Sequence, residues 1–390
     1  MPDHTALLES ACIFFALWPH SVTAEPPAEG ALITVRHRKG WFTLSAPWIA
    51  RPLREPTPTC LLCNLGIELI SAFRLTHPQI LCLHAAAVTF ASGTVLLLGD
   101  NRAGKSSLAA RLMADGHTLY ADDLVGLTPD GQAFSFGIAP RLRLPLPPSS
   151  DLAEFVRQHT GPCDGRYQYV AADPATMAPC GTSTPIRRAI LLQRHSAGKA
   201  RLVNLPPETI ATQLAGRCFM QQGDAGLVAE QATQMAGRIP FLCLHYADLD
   251  DAARYLAAHL DTTTPPLLPE EPVAHMAEWP RRAMADTMSV SSGRRLYRQT
   301  DGAQLVCRGA NAFLCTPDKN SLYSLNGSGR LIWQLLQSPV SAGDVAQLLQ
   351  EAYPHIPAAR LQRDVNRMFA HLEQAKLIIR VSDGTQYDEA

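Results

Sequence analysis

The run Gly99-Asp-Asn-Arg-Ala-Gly-Lys105-Ser106 has the residue types that hold a nucleoside triphosphate. It fits the pattern GxxxxGK[ST], in which glycines let the backbone approach phosphates and adopt positive φ. Successive N–H groups and the N-terminus of the next helix would face the anion. Lys105 would reach the β- and γ-phosphates of ATP, and Ser106 would bind Mg²⁺. The expected nucleotide contacts are Gly99, Asp100, Asn101, Arg102, Ala103, Gly104, Lys105, Ser106 and Ser107.

Two adjacent carboxylates, Asp122 and Asp123, follow the predicted strand Thr118–Ala121. Open α/β sheets bind ligands at the carboxyl ends of their strands, so this position suits a catalytic pair. One carboxylate could hold Mg²⁺ and the other could take a proton from a hydroxyl group. A helix N-cap or a solvated turn would use the same residues. The place of the pair, one strand beyond the phosphate-binding run, favours the functional interpretation.

The apolar pattern predicts the elements that must position these residues. Alternating strands and helices predict an α/β domain over residues 78–260, after a mixed or β-rich region over residues 1–77. The predicted strands are Ala31–Val35, Gly40–Leu44, Ile80–Phe90, Thr94–Leu98, Thr118–Ala121, Ala189–Gln193 and Phe241–His245. The predicted helices are Leu61–Leu75, Lys105–Ala114 and Ala247–Leu260. The short apolar run Ala11–Trp18 is interpreted as a core strand, because no basic segment precedes it and no small-residue cleavage site follows it.

A change of composition separates a second domain. Residues 261–272 read DTTTPPLLPEEP, which is typical of a linker, and we place the linker at residues 261–292. A compact unit then covers residues 293–382. Its predicted strands are Gln304–Cys307, Ala312–Thr316 and Ser321–Leu325, and its predicted helices are Gly327–Leu336, Ser341–Tyr353 and Ala358–Ala375.

The composition bounds the compartment and the partners. Hydrophobic residues make up 46% of the chain and the net charge is −1, so bulk charge favours neither nucleic acid nor an anionic membrane as partner. No stretch is apolar for long enough to cross a bilayer. The ten cysteines are scattered, which predicts thiols of a reducing compartment, and we expect a cytoplasmic protein. Cys60 and Cys63 have metal-ligand spacing, but no second ligand pair accompanies them.

The segment His84–Leu127 resembles HPr kinase/phosphorylase and its wider kinase relatives. The resemblance is carried by LHAAAV from Leu83, GDNRAGKSS from Gly99 and GHTLYADDLVGL from Gly116, with matching spacing of His84, Lys105 and Asp122. It implies that His84 lies near the transferred phosphate, that Asp122 is the catalytic base and that Asp123 contacts the metal beside Ser106. As a lone residue, His84 would be a satisfied strand histidine.

The chain departs from that family further on. The Glu-Ile-Arg-Gly signature is absent, and residues 136–143 read FGIAPRLR instead. Arg141 or Arg143 could stabilise phosphate charge there, although exposure at the surface would explain them equally well. Recognition of the HPr carrier protein and the reverse phosphorolysis reaction are therefore not implied.

Residues 293–382 resemble PqqD, the leader-peptide-binding domain of ribosomal peptide modification systems. The resemblance is carried by SLYSLN from Ser321, GRLIW from Gly329, and the stretches Ser341–Leu349 and Leu361–Leu377. It implies a winged-helix-like α+β domain in which a peptide adds a strand beside Ser321, Leu322, Tyr323, Ser324 and Leu325. A basic stripe of Arg360, Arg363 and Arg367 would meet an acidic leader or would face solvent. The neutral charge and the lack of a basic recognition-helix N-terminus count against DNA binding.

Together, the two resemblances imply an ATP- and Mg²⁺-dependent kinase that phosphorylates a Ser or Thr of a precursor peptide held by its C-terminal domain. Two alternatives remain open. One is a small-molecule kinase whose C-terminal domain binds a partner protein. The other is a non-catalytic, ATP-gated adaptor that delivers leader peptides to another enzyme. A homo-oligomer is compatible with any of the three.

Overall fold

The computed structural model divides into two compact units. Unit 1 consists of Met1–Phe219 with Gln234–Val273, and unit 2 of Met220–Thr233 with Ala274–Ala390. The structure describes residues 5–21, 23, 33–100, 102–171, 173–205, 213–215, 217–219, 225–261, 295–308, 311–318 and 321–381. Almost the whole predicted linker, from residue 262 to residue 292, and the predicted nucleotide contact Asn101 lie outside the described residues.

The N-terminal segment contains two helices and a three-stranded antiparallel sheet in the order β1-β2-β3. Its elements are α1 (Thr5–Phe14), β1 (Thr34–Arg38), β2 (Trp41–Ser45), β3 (Leu53–Glu55) and α2 (Pro58–Thr76). The predicted core strand Ala11–Trp18 is wrong, because the run ends a helix that begins at Thr5. Leu7, Ala11 and Phe14 recur at helical spacing and are buried, but a short apolar run alone does not distinguish a strand from a helix.

Helix α2 contains the predicted helix Leu61–Leu75 and begins three residues earlier, at Pro58. The Thr57 hydroxyl accepts the Cys60 N–H at 3.1 Å, and proline stands in the first turn, where no backbone donor is needed. At mean hydropathy 1.3, α2 is one helix that is long and apolar enough to cross a membrane. The expectation that no stretch passes that test is therefore wrong. In the structure the apolar face of α2, with Leu61, Leu62 and Ile70, lies in the core of unit 1.

The N-terminal elements share a core with the α/β region. One apolar cluster contains Leu7 and Phe14 of α1, Leu44 of β2, Leu61 of α2, and Phe136 from beyond residue 78. The predicted region 1–77 and the predicted domain 78–260 thus lie in the same compact unit. A three-stranded sheet with one apolar face needs a partner layer to bury that face.

The centre of unit 1 is a large mixed sheet. Ten strands join it among the described residues, along the path β15-β4-β8-β9-β13-β6-β5-β7, with β16 beside β13 and β14 beside β16. Its strands are β4 (Leu81–Leu83), β5 (Ala86–Phe90), β6 (Gly93–Leu98), β7 (Thr118–Ala121), β8 (Val125–Leu127), β9 (Gln132–Ser135), β13 (Ser183–Arg194), β14 (Arg201–Asn204), β15 (Cys218–Phe219) and β16 (Phe241–Tyr246). A smaller sheet contains β10 (Arg141–Arg143), β11 (Thr160–Cys163) and β12 (Tyr167–Val170) in the order β10-β12-β11.

Strand β13 carries two kinds of pairing. Its first residues pair antiparallel with β9, and its later residues pair parallel with β6 and β16. The middle of the parallel part is apolar, since residues 189–192 of β13 pair with residues 96–98 of β6 and 241–244 of β16, as expected for a sheet covered on both faces. The helices of this region are α3 (Lys105–Ala114), α4 (Ser150–Gln158), α5 (Ala225–Ala236), which spans the boundary between the units, and α6 (Leu249–Leu260).

A buried arginine fixes the helix that follows the phosphate-binding run. The Arg111 guanidinium of α3 donates to Asp115 at 2.6 Å, to Asp151 of α4 at 2.7 Å and to Asp250 of α6 at 2.6 Å. Its side chain is only 3% exposed, and three carboxylates compensate its charge. The N-terminus of α3 is therefore held in place from the opposite end of the helix.

Unit 2 has a core of its own. Its strands are β17 (Leu296–Gln299), β18 (Gln304–Arg308), β19 (Asn311–Cys315), β20 (Leu322–Leu325) and β21 (Ile378–Val381), and its helices are α7 (Gly327–Leu335), α8 (Ala342–Ala352) and α9 (Ala358–Gln374). The strands form an antiparallel sheet β18-β19-β20 and a separate pair β17-β21. The core includes Trp333, Val365 and Phe369. The β17-β21 pair was not predicted, and the winged-helix comparison stays a prediction.

Candidate active site

The phosphate-binding run is a tight loop between β6 and α3. Gly104 has φ 97° and ends the loop. A Cβ at this position would lie 2.2 Å from the Tyr246 Oη, so both the conformation and the space require glycine. The Tyr246 hydroxyl, at the end of β16, donates to the Ala103 carbonyl at 2.6 Å. The loop is therefore clamped by a strand two positions away in the sheet.

Lys105 is the first residue after the loop, and its side chain folds back into the loop. Its side chain is buried, and Nζ donates to the carbonyls of Gly99 at 2.9 Å and Asp100 at 3.2 Å. Burial lowers the pKa of Lys105, while the charges of Asp122 and Asp123 oppose that shift. The ammonium group is thus placed between the loop backbone and the carboxylate pair.

The carboxylate pair lies where strand pairing is interrupted, both between β4 and β5 and between β7 and β8. Leu83 of β4 pairs with Val125 of β8, and Ala87 of β5 pairs with Ala121 of β7. Residues 84–86 therefore lie opposite residues 122–124, and no strand pair joins these two segments to each other. The predicted single strand Ile80–Phe90 is thus wrong in its middle, since β4 and β5 pair with different neighbours. The interruption is what brings His84 to the carboxylates.

Asp122 is the buried member of the pair. It is 1% exposed, its Oδ2 accepts the Arg141 N–H at 3.4 Å, and its Oδ1 has no hydrogen-bond partner among the described residues. Burial, and next the charge of Asp123, raise the pKa of Asp122 to about 6, although the Ser106 hydroxyl lowers it. A carboxylate with this pKa can both accept and release a proton near neutral pH.

Asp123 projects from a turn. Its φ is 64°, and the Leu124 N–H donates to the Asp122 carbonyl at 2.7 Å across it. Asp123 Oδ1 lies 3.1 Å from His84 Nδ1, and Oδ2 accepts from Arg141 Nη2 at 3.2 Å. Burial raises the pKa of Asp123, but the His84 hydrogen bond and the Arg141 charge outweigh burial and hold that pKa below its usual range. Asp123 is therefore an anion over a wide pH range.

The two candidate arginines, Arg141 and Arg143, have different surroundings. Arg141 is half-buried, donates to Asp123, and donates from Nη1 to the Cys63 Sγ of α2 at 2.6 Å. Arg143 is exposed and donates to the Tyr167 hydroxyl at 3.2 Å. Of these two arginines, only Arg141 contacts the carboxylate pair.

Arg217 belongs to the site and was missed from the sequence. Its Nη2 donates to Asp100 Oδ1 at 2.9 Å and its Nε donates to the Gly99 carbonyl at 3.4 Å, while its own carbonyl accepts the His84 N–H at 2.7 Å. The side chain is 11% exposed, and burial lowers the pKa of Arg217. Arg217 stands over a hundred residues after the loop in a segment with no motif, so only the pairing of β15 with β4 reveals it.

The other predicted loop residues are placed as follows. Asp100 is 95% exposed and pairs with Arg217. Arg102 is exposed and has φ 71°. Ser106 and Ser107 lie in the first turn of α3. The residues therefore form one continuous site from Arg217 through the loop to Asp122, Asp123, His84 and Arg141.

The same residues fit a divalent cation. The unpartnered Oδ1 of Asp122 is a buried acceptor, and the Ser106 hydroxyl lies beside that carboxylate. Hard oxygen donors of this kind suit Mg²⁺. No cluster of three or more His, Cys, Asp or Glu side chains with metal-ligand geometry occurs in the described part of the chain. The site fits an ion shared with a phosphate rather than one held by protein ligands alone.

In unit 2, β20 lies at an edge of its sheet. It pairs with β19 from Leu322↔Cys315 to Leu325↔Ala312, and no second strand flanks it among the described residues. Arg360, Arg363 and Arg367 are exposed on α9, opposite the buried stripe of that helix. Arg360 Nε lies 3.8 Å from Asp364, and Arg363 Nε donates to the Ala359 carbonyl at 3.3 Å. The predicted edge strand and basic stripe are thus both present.

Comparison with known proteins gives two matches. Residues 312–378 match the family model described as coenzyme PQQ synthesis protein D (PqqD), which confirms the predicted PqqD-like domain. Among solved structures, the Hpr(Ser) kinase/phosphatase from Coxiella burnetii matches with 13% identity and a TM-score of 0.22, over 43% of this chain and 79% of that chain. No curated protein matches the chain by sequence.

Proposed function

We propose that the chain is an ATP-dependent kinase that phosphorylates a Ser or Thr hydroxyl of a ribosomally made precursor peptide. The observation that carries this proposal is the carboxylate pair held beside the phosphate loop, with Asp122 next to Ser106 and Asp123 next to His84. Phosphoryl transfer needs positioned anionic oxygens, compensating charge and a group that accepts the hydroxyl proton. The described site contains each of these.

The residues take distinct roles. The loop N–H groups and Lys105 bind and orient the phosphates, and Arg217 stabilises negative charge at the same loop. Asp122 accepts the hydroxyl proton, since its pKa of about 6 suits that step. Arg141 and His84 hold Asp123 in place as an anion. Mg²⁺, held by Ser106 and Asp123, would neutralise charge on the phosphates when bound.

The C-terminal domain supplies the peptide. We propose that the leader of the precursor pairs its backbone with β20 and leans on α9, as the resemblance to PqqD implies. Because one chain carries both units, a captured precursor is present at a raised effective concentration at the active site. We place the reaction in the cytoplasm, where ATP and reduced thiols occur together. No disulfide joins any of the ten cysteines, all of which lie among the described residues.

The test is phosphorylation of candidate precursor peptides, taken from short reading frames that neighbour the gene, measured by intact-peptide mass spectrometry with wild type, Lys105→Ala and Asp122→Asn. We expect a mass gain of one phosphate with wild type and none with Lys105→Ala, while circular dichroism shows all three proteins folded. ATP binding without transfer in the wild type would support the adaptor instead. Transfer to free metabolites, with none to peptide, would support the small-molecule kinase.

A further inference from the structure

Three arginines gather around one tyrosine beside the carboxylate pair. The guanidinium carbons of Arg141, Arg143 and Arg166 lie 4.9, 5.5 and 5.1 Å from the centroid of the Tyr167 ring. In the β10-β12 pairing, Arg143 stands opposite Tyr167 and Arg141 opposite Tyr169. Directly paired residues share a face of the sheet, so the cluster is a consequence of register. We call these four residues, Arg141, Arg143, Arg166 and Tyr167, the arginine cluster.

The positive charge of the cluster is not compensated locally. The described residues contain an ion pair for Arg141, with Asp123, but none for Arg143 or Arg166. Asp164 is the carboxylate of the adjoining turn. Its Oδ1 accepts the N–H groups of Arg166 and Tyr167, both at 2.8 Å, and its Oδ2 accepts from the Thr57 hydroxyl at 2.9 Å. Asp164 therefore stabilises the turn backbone rather than a guanidinium group.

The cluster is continuous with the candidate active site. Arg141 belongs to both, because its Nη2 donates to Asp123 while its guanidinium lies over Tyr167. Arg143 and Arg166 are exposed and extend the positive surface away from the carboxylates. An acceptor whose hydroxyl reaches Asp122 would thus place its neighbouring groups near two uncompensated guanidinium groups.

We propose that the arginine cluster is an acceptor subsite that binds a carboxylate of the peptide close to the phosphorylated hydroxyl. This inference rests on the proposed function and names its substrate class. Guanidinium groups bind carboxylates with two parallel hydrogen bonds, and a tyrosine ring that supports them limits their freedom. The carboxylate comes either from an Asp or Glu side chain or from the C-terminus of the peptide.

Direct binding tests the subsite without requiring phosphoryl transfer. Three fluorescein-labelled serine decapeptides are compared by anisotropy with the full-length chain: one has two glutamates after the serine and an amidated end, one has no acid but a free C-terminus, and one is neutral. We expect at least one acidic peptide to bind about fivefold more tightly than the neutral one, as two exposed ion pairs would give. The peptide that gains affinity identifies the source of the carboxylate.

The variants locate the effect. Arg143→Gln/Arg166→Gln should abolish the preference for the acidic peptide. Arg36→Gln/Arg38→Gln, which removes two exposed arginines from β1 of the same unit, should retain it. Equal binding of all three peptides by the wild type would overturn the subsite. So would a preference that survives Arg143→Gln/Arg166→Gln and is lost in Arg363→Gln/Arg367→Gln of α9. A preference without phosphorylation would retain the subsite and reject the kinase.

Discussion

Gly104 shows how one residue without a side chain decides whether the loop can form. Gly104→Ala places a methyl group 2.2 Å from the Tyr246 hydroxyl in a left-handed conformation, and we expect ATP binding to be lost. Gly116→Ala is the matched control, because φ is 88° there and nothing lies within 4 Å of the added Cβ. The control should cost only the conformational strain, about 1–2 kcal/mol. Calorimetric titration with ATP and thermal unfolding of both variants separate the clash from the strain.

Equal ATP affinity in the two glycine variants would show that the Tyr246 contact does not shape the loop. The additional variant Tyr246→Phe removes the hydrogen bond to Ala103 but keeps the ring. It should weaken ATP binding less than Gly104→Ala does.

The proposed role of Asp122 as proton acceptor predicts a pH dependence of the reaction. Its pKa of about 6 means that the carboxylate is protonated in acid and cannot accept a proton, so kcat/KM for ATP should fall as the pH falls through about 6. Asp122→Asn should remove this limb and slow transfer by about 10²–10⁴. Asp123→Asn should raise the Mg²⁺ requirement instead. The opposite pattern, with a Mg²⁺ defect in Asp122→Asn and a rate defect in Asp123→Asn, would reverse the two assignments.

The free energy of unfolding should change with pH in the opposite direction to the activity, again because of Asp122. The native state holds the Asp122 proton more tightly than the unfolded chain does, because the folded pKa is raised from 3.8 to about 6. Ionisation of Asp122 therefore lowers the free energy of unfolding as the pH rises through this interval. Denaturant unfolding of Asp122→Asn should lack that decrease.

At the scale of elements, the edge strand β20 makes the most direct prediction. Leu322→Pro or Tyr323→Pro removes a backbone donor and should weaken capture of the leader peptide by tenfold or more, with ATP affinity unchanged. Val306→Pro in β18, the other edge strand of the same sheet, is the matched control. Fluorescence anisotropy with the labelled leader measures each variant, and circular dichroism confirms folding. A larger loss in Val306→Pro would move the peptide to the β18 edge.

The elements also show where the sequence predicts the fold and where it does not. The bounds of α3 and β7 agree with the predicted ranges, because the loop glycines, the Ala- and Leu-rich helix and the apolar strand are all local signals. The helix at Ala11 was predicted as a strand because its apolar run is too short to show a period. The break at His84 depends on the pairing of β4 with β8 and of β5 with β7, two strands that lie much later in the chain.

The candidate site divides in the same way. The loop and the carboxylate pair could be predicted, because each occupies a few consecutive residues. Arg217 and the arginine cluster could not, because the register of β15 on β4 and of β10 on β12 places them. Local patterns predict the groups that a short segment contains, whereas long-range pairing decides which groups meet.

At the scale of the molecule, the PqqD-like domain predicted over residues 293–382 and the site that precedes it predict a division of labour. Residues 293–390 alone should bind the leader peptide with nearly the affinity of the full chain, because backbone pairing along β20 needs no nucleotide. Residues 1–292 should bind ATP but phosphorylate the precursor poorly, since the captured substrate is no longer tethered. Anisotropy and radiolabelled ATP measure the two activities. Tight leader binding by residues 1–292, with none by residues 293–390, would refute this division.

The central position of β13 in the sheet has a consequence for local unfolding of unit 1. In the sheet, β9, β8 and β4 follow one another on one side of β13, and β6, β5 and β7 follow one another on the other side. Residues 84–85 connect β4 to β5, and residues 122–124 connect β7 to β8. These two connections join the two sides covalently next to the carboxylate pair. The loop after β6 and the carboxylate pair therefore belong to one closed circuit of strands, and we expect this circuit to open as a unit. Cooperative units of this kind exchange their amide hydrogens together. The amides of Ile190 and Leu191, buried between two parallel neighbours, should be among the last in unit 1 to exchange in heavy water. The amides of Leu83 and Ala87 should exchange at a similar rate.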